Sequence, residues 1–119
     1  MGKEIEIPIL NDEHSVTVAW GSPRYLRSVA EHRDYGKMFK KKDFKNAEGM
    51  TYSRKRSEPL ILLPNAPETP EEIATLAHEA THAVSATFKR IKEKKPGDEI
   101  FAHSVGAIVR GALNVRDLK

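Results

Sequence analysis

His78-Glu79-Ala80-Thr81-His82 sets two histidines four residues apart, with a glutamate beside the first. On a helix, residues four apart share a face, so both imidazoles can point at one cation. Zinc takes histidine nitrogen readily, and its catalytic sites combine three protein ligands with one open position. A carboxylate next to the first histidine can take a proton from a water activated by that ion. The spacing points to metal-assisted hydrolysis, with His78 and His82 as zinc ligands and Glu79 as general base. A shuffle of this composition produces the pattern roughly 2% of the time, so its helical context has to carry the rest of the argument.

That context is favourable. Thr69-Pro70-Glu71-Glu72 has the form of a helix start, with threonine as N-cap, proline at the first helical position and glutamate at the third. Ile73, Leu76, Ala77, Ala80, Val84 and Phe88 then recur at helical spacing. Pro96-Gly97 stops this helix, which is expected to end near Glu93. Asp98 is placed to N-cap a last helix carrying Phe101, Ala102, Val105, Ile108, Val109 and Leu113.

Two histidines alone make a weak site, so a third donor is needed. Phe88 stands six residues past His82, which excludes the histidine of the short metzincin extension. Of the downstream acids, Glu93 lies at a lysine-rich helix end and Asp117 near the C-terminus. Asp98 is committed to capping. Glu99 remains, on one stripe with Ala102, His103 and Gly106, whose small members would let two helices approach closely. His103 is a rival third ligand, a donor to an oxyanion, or a surface histidine. Tyr25, Tyr35 and Tyr52 are further candidates for the oxyanion, and nothing in the sequence chooses among them.

Leu76-Ala77-His78-Glu79-Ala80-Thr81-His82-Ala83-Val84 and Glu99-Ile100-Phe101-Ala102-His103-Ser104-Val105-Gly106 together resemble the small gluzincin-like metallopeptidases, in which a glutamate on the next helix binds the metal. The resemblance covers about half the chain, Leu60 to Leu113. It implies a strand–helix–helix core, bound Zn2+ held by His78, His82 and Glu99, and a peptide or protein substrate. Compact proteins of this kind are frequent in phages and prophages, which would place the chain in a host cytoplasm.

The rest of the chain must position that core. Glu4 to Leu10 and His14 to Trp20 alternate apolar and polar residues around Asn11-Asp12-Glu13, as in a β-hairpin. Ser22 and Pro23 open a short helix through Tyr25, Leu26, Val29 and Ala30. Arg33 to Glu48 is polar and poorly periodic and reads as a loop or a marginal helix. Met50 to Ser53 suits a short strand, and Leu60-Ile61-Leu62-Leu63 between two prolines suits a buried one. The expected fold is a single α+β domain over residues 1–119, zincin-like, with a small, mostly antiparallel sheet on the two helices.

Composition sets limits. The 39% hydrophobic content fills one modest core. No apolar run approaches membrane-spanning length, and no secretory segment opens the chain. The absence of cysteine excludes disulfides and thiolate ligands and fits a cytoplasmic location. Net charge is only +3, but Lys37 to Arg56 holds eight basic residues against two acidic ones, and Lys89, Arg90, Lys92, Lys94 and Lys95 form a second cluster. Such runs are usually solvated faces. Their use on nucleic acid or an acidic partner, in a non-hydrolytic module of the same fold, is the competing expectation.

Overall fold

The computed structural model describes residues 2–40, 48–91 and 97–118, with the side chain of Asp98 left out. Phe44, Glu93 and the lysines at 41, 42, 45, 92, 94 and 95 lie outside the described residues; the helix expected to end near Glu93 ends at Arg90, with Ile91 as its C-cap.

Alternating residues build the first hairpin. Strand β1 (Lys3–Ile9) pairs antiparallel with β2 (His14–Trp20), with Ile5 opposite Val18 and Ile7 opposite Val16. Leu10, Asn11 and Asp12 make the turn with φ of 54°, 56° and 68°. Asn and Asp tolerate that left-handed region best, and Leu10 is carried there by the turn. Helix α1 (Pro23–His32) starts as its sequence dictates, with Ser22 Oγ accepting from the Tyr25 amide. Strands β3 (Met50–Arg54) and β4 (Ser57–Leu63) form a second antiparallel hairpin. Strand β4 also pairs in parallel with β2, so the four strands run β1-β2-β4-β3 and the sheet is mixed.

The period of two separates the two faces of the sheet. Val16, Val18, Trp20, Ile61 and Leu63 face one core, with Ile7 and Ile9. Ala19, Leu60, Leu62 and Tyr52 face the other, under Leu26, Val29 and Ala30 of α1. Helix α2 (Pro70–Arg90) lies on the first face, started by the full capping box between Thr69 and Glu72. The Thr69 and Glu68 amides donate to the Glu72 carboxylate and hold its pKa below the usual carboxylate range.

Helix α3 (Asp98–Arg116) packs beside α2 and over β1. The two helices run antiparallel. Phe101 stacks on Phe88 at 5.9 Å near one end, and Arg116 Nη1 donates to the Pro67 carbonyl at 2.8 Å near the other. Two expectations about α3 are corrected. Its N-cap is Gly97, and Asp98 is the first helical residue. The stripe of small residues does not meet α2. Ala102 is exposed, and a Cβ built on Gly106 would touch nothing within 4 Å among the described residues. The face bearing Phe101, Val105, Ile108 and Ala112 buries more apolar surface and takes the interface instead. Gly111 is the glycine that permits a close approach, with three Ile7 side-chain carbons 3.1 Å from where its Cβ would be.

The result is an α+β fold with a four-stranded mixed sheet and three helices among the described residues. No described helix is long and apolar enough to cross a membrane.

Candidate metal centre

His78 and His82 sit in the middle of α2, one turn apart, both exposed. Their Nε2 atoms are 3.1 Å apart and their rings stand nearly perpendicular, at 85°. Two nitrogens bound at about 2.05 Å to one tetrahedral ion are about 3.3 Å apart. The pair therefore has close to the spacing of two zinc ligands. At that distance the two Nε2 atoms can share one proton, and a cation can take the place of that proton.

Glu79 is turned about 100° from His78 by the helix and points toward the sheet edge. It is 9% exposed. Thr51, on β3, donates its hydroxyl to Glu79 Oε1 at 2.6 Å and lies 3.1 Å from the Glu79 carbonyl. Oε2 has no hydrogen bond among the described residues. Glu79 and His78 share a groove of about 620 Å³ with Glu48, Gly49, Ala74 and Thr75. The base-type residue and one ligand-type residue thus open onto a common space.

Glu99 and His103 are placed elsewhere. Both are exposed, and both line a separate groove of about 660 Å³ with Leu10, His14, Phe88 and Ile91. Among the described residues, no group of three His, Asp or Glu side chains is close enough to share a metal ion. The structure brings His78 and His82 together and leaves Glu99 and His103 apart from them. The helix register is the reason. With Phe101 opposite Phe88, the residues of α3 level with the histidine pair are Ala107 to Gly111, none of them a carboxylate.

Tyr35 and Tyr52 belong to the core under α1, away from α2, and Tyr25 packs against that same core. Tyr35 donates to the Glu58 carbonyl at 2.9 Å, and burial pushes its phenol above the ordinary range.

His14 and His32 stand in no motif of the sequence, yet each has partners in the fold. His14 Nδ1 lies 3.4 Å from Glu58 Oε1 and 3.2 Å from Arg90 Nη2, and Arg90 pairs with Glu58. His32 Nε2 lies 2.7 Å from Glu4 Oε2, which Arg33 also reaches at 2.6 Å. The partners stand 28 to 76 residues apart, and no local pattern marks them. Thr51 was missed likewise: it lies 28 residues from Glu79, in a strand with no sign of its hydroxyl's role.

No protein-family model, curated protein or solved structure matches this chain.

Proposed function

We propose that this protein is a zinc-dependent peptidase in which His78 and His82 hold the ion and Glu79 is the general base. The observation that carries the reading is the pair of Nε2 atoms 3.1 Å apart on an open helix face. The donor set suits the ion, since imidazole nitrogen is a good zinc ligand and no thiolate competes. Zinc held there would supply Lewis acidity, polarising a carbonyl and making water acidic near neutral pH.

The chain's own residues supply the rest. Thr51 fixes one oxygen of Glu79 and leaves Oε2 as the atom that accepts a proton and later delivers it to the leaving amine. Strand β3 is an edge of the four-stranded sheet, and an extended peptide can add to such an edge beside Glu79. This supports a peptide substrate. A second reading has its own observation: the Thr51–Glu79 bond ties α2 to β3, as a purely structural carboxylate would in a non-hydrolytic binding module.

One variant separates the two. Glu79→Gln should keep zinc at one equivalent and abolish cleavage of a mixed peptide library. Retained cleavage would sink the assignment of the base. Less than about a tenth of an equivalent of zinc in the wild type, after zinc addition, would sink the metal centre itself.

A further inference from the structure

We propose that Glu48 supplies the carboxylate that completes the metal centre of His78 and His82; the inference rests on the zinc reading above. Glu48 immediately precedes Gly49 and β3, and its Oε2 accepts from the Thr75 hydroxyl at 2.8 Å. Thr75 is on α2, three residues before His78. At about 100° per residue it lies about 60° around the helix from His78 and about 20° from His82, so it shares their face. The Glu48 carboxylate therefore sits over the histidine face, about one turn to its N-terminal side.

Histidine side chains on a helix lean toward the N-terminus, which carries both imidazoles toward Thr75. Glu48 and His78 already line one groove. Glu48 is exposed and is held there by a single hydrogen bond from a neutral hydroxyl. Turning its side-chain torsions from Thr75 toward the imidazoles exchanges that bond for a charge-assisted contact with a divalent cation. Among the described residues no three His, Asp or Glu side chains are grouped to hold a metal ion, so Glu48 would have to leave Thr75 to complete such a group. Glu71 is the rival: it lies on the same face one turn further from the pair and lines the same groove. Glu48 is favoured because its carboxylate is already fixed beside Thr75, nearer the histidines.

The test is the zinc dissociation constant, measured by competition with a chromophoric chelator at fixed pH. It is measured for the wild type, Glu48→Gln and Glu71→Gln, each checked for an unchanged far-ultraviolet circular dichroism spectrum. Glu48→Gln should weaken zinc binding tenfold or more, and Glu71→Gln should stay within twofold. The visible spectrum of the Co2+ form should change in Glu48→Gln alone. A smaller loss in Glu48→Gln, or a larger loss in Glu71→Gln, overturns the proposal while leaving the histidine pair in place. A wild type that takes up no zinc overturns it together with the reading it rests on.

Discussion

The placement of Glu99 makes a quantitative prediction that separates this protein from the arrangement its sequence resembles. Phe101 lies opposite Phe88 and α3 runs antiparallel to α2, so Glu99 is level with position 90. At about 1.5 Å per residue that is about 12 Å along the axis beyond His82 and about 18 Å beyond His78. The imidazoles lean the opposite way, which widens the gap. A glutamate carboxylate extends about 4 Å from its Cα, and a zinc–oxygen bond spans about 2.0–2.2 Å. Several ångströms remain uncovered.

Glu99→Ala should therefore change the zinc dissociation constant less than about threefold, whereas His82→Ala should weaken it by orders of magnitude. The assay is chelator competition on both variants and the wild type at one pH. A loss of tenfold or more in Glu99→Ala would refute the register argument. It would mean that α3 slides about two turns along α2 when zinc binds, separating Phe101 from Phe88.

Two further outcomes follow from contacts already described. Thr51→Val removes the hydroxyl that satisfies a buried carboxylate oxygen, and should lower stability to urea by about 1–3 kcal/mol, with Thr51→Ser recovering most of it; a change under about 0.5 kcal/mol would show that the bond contributes nothing. Burial raises the Glu4 carboxyl, but hydrogen bonds from His32 and Arg33 outweigh it and hold its pKa below the usual range. A depressed carboxyl contributes stability that is present above the unfolded value of about 4.3 and is lost as pH falls through the folded value. Glu4→Gln should therefore destabilise at about pH 6, and its urea midpoint should converge with the wild type as pH falls through the folded value of Glu4; a difference independent of pH would contradict this.

Those parts of the fold that rest on neighbouring residues are legible in the sequence. Ser22-Pro23 and Thr69-Pro70-Glu71-Glu72 start α1 and α2 where capping chemistry requires, because a cap is satisfied within three residues. The period-two patterns of β1 and β2, with Asn11-Asp12-Glu13 between them, mark the hairpin for the same reason. What faces what on α3 is not local. The Ala102–Gly106 stripe and the Phe101–Val105–Ile108 face are both consistent with helical spacing, and the sheet chooses between them by burial. The choice leaves Glu99 lining a groove with Phe88 and Ile91, apart from His78 and His82. The Glu58–Arg90–His14 cluster is equally invisible, because it assembles from β2, β4 and α2 only once the sheet has formed.

The two kinds of information meet at Gly49. A helix presents His78 and Glu79 in directions about 100° apart whatever surrounds it, so the sequence motif alone leaves the surroundings of Glu79 open. Something must bring a second element against that side. A Cβ on Gly49 would lie 2.9 Å from Leu63 Cδ2, 3.2 Å from Thr75 Cγ2 and 3.3 Å from Glu79 Cγ. With a Cβ there, Leu63, Thr75 and Glu79 would each have to give way, so glycine suits the chain's entry into β3 this close to α2. That approach sets Thr51 on Glu79 and Glu48 on Thr75, on either side of the same glycine. The helix sets the directions of His78, Glu79 and Thr75, and the segment across from it decides what Glu79 and Thr75 touch.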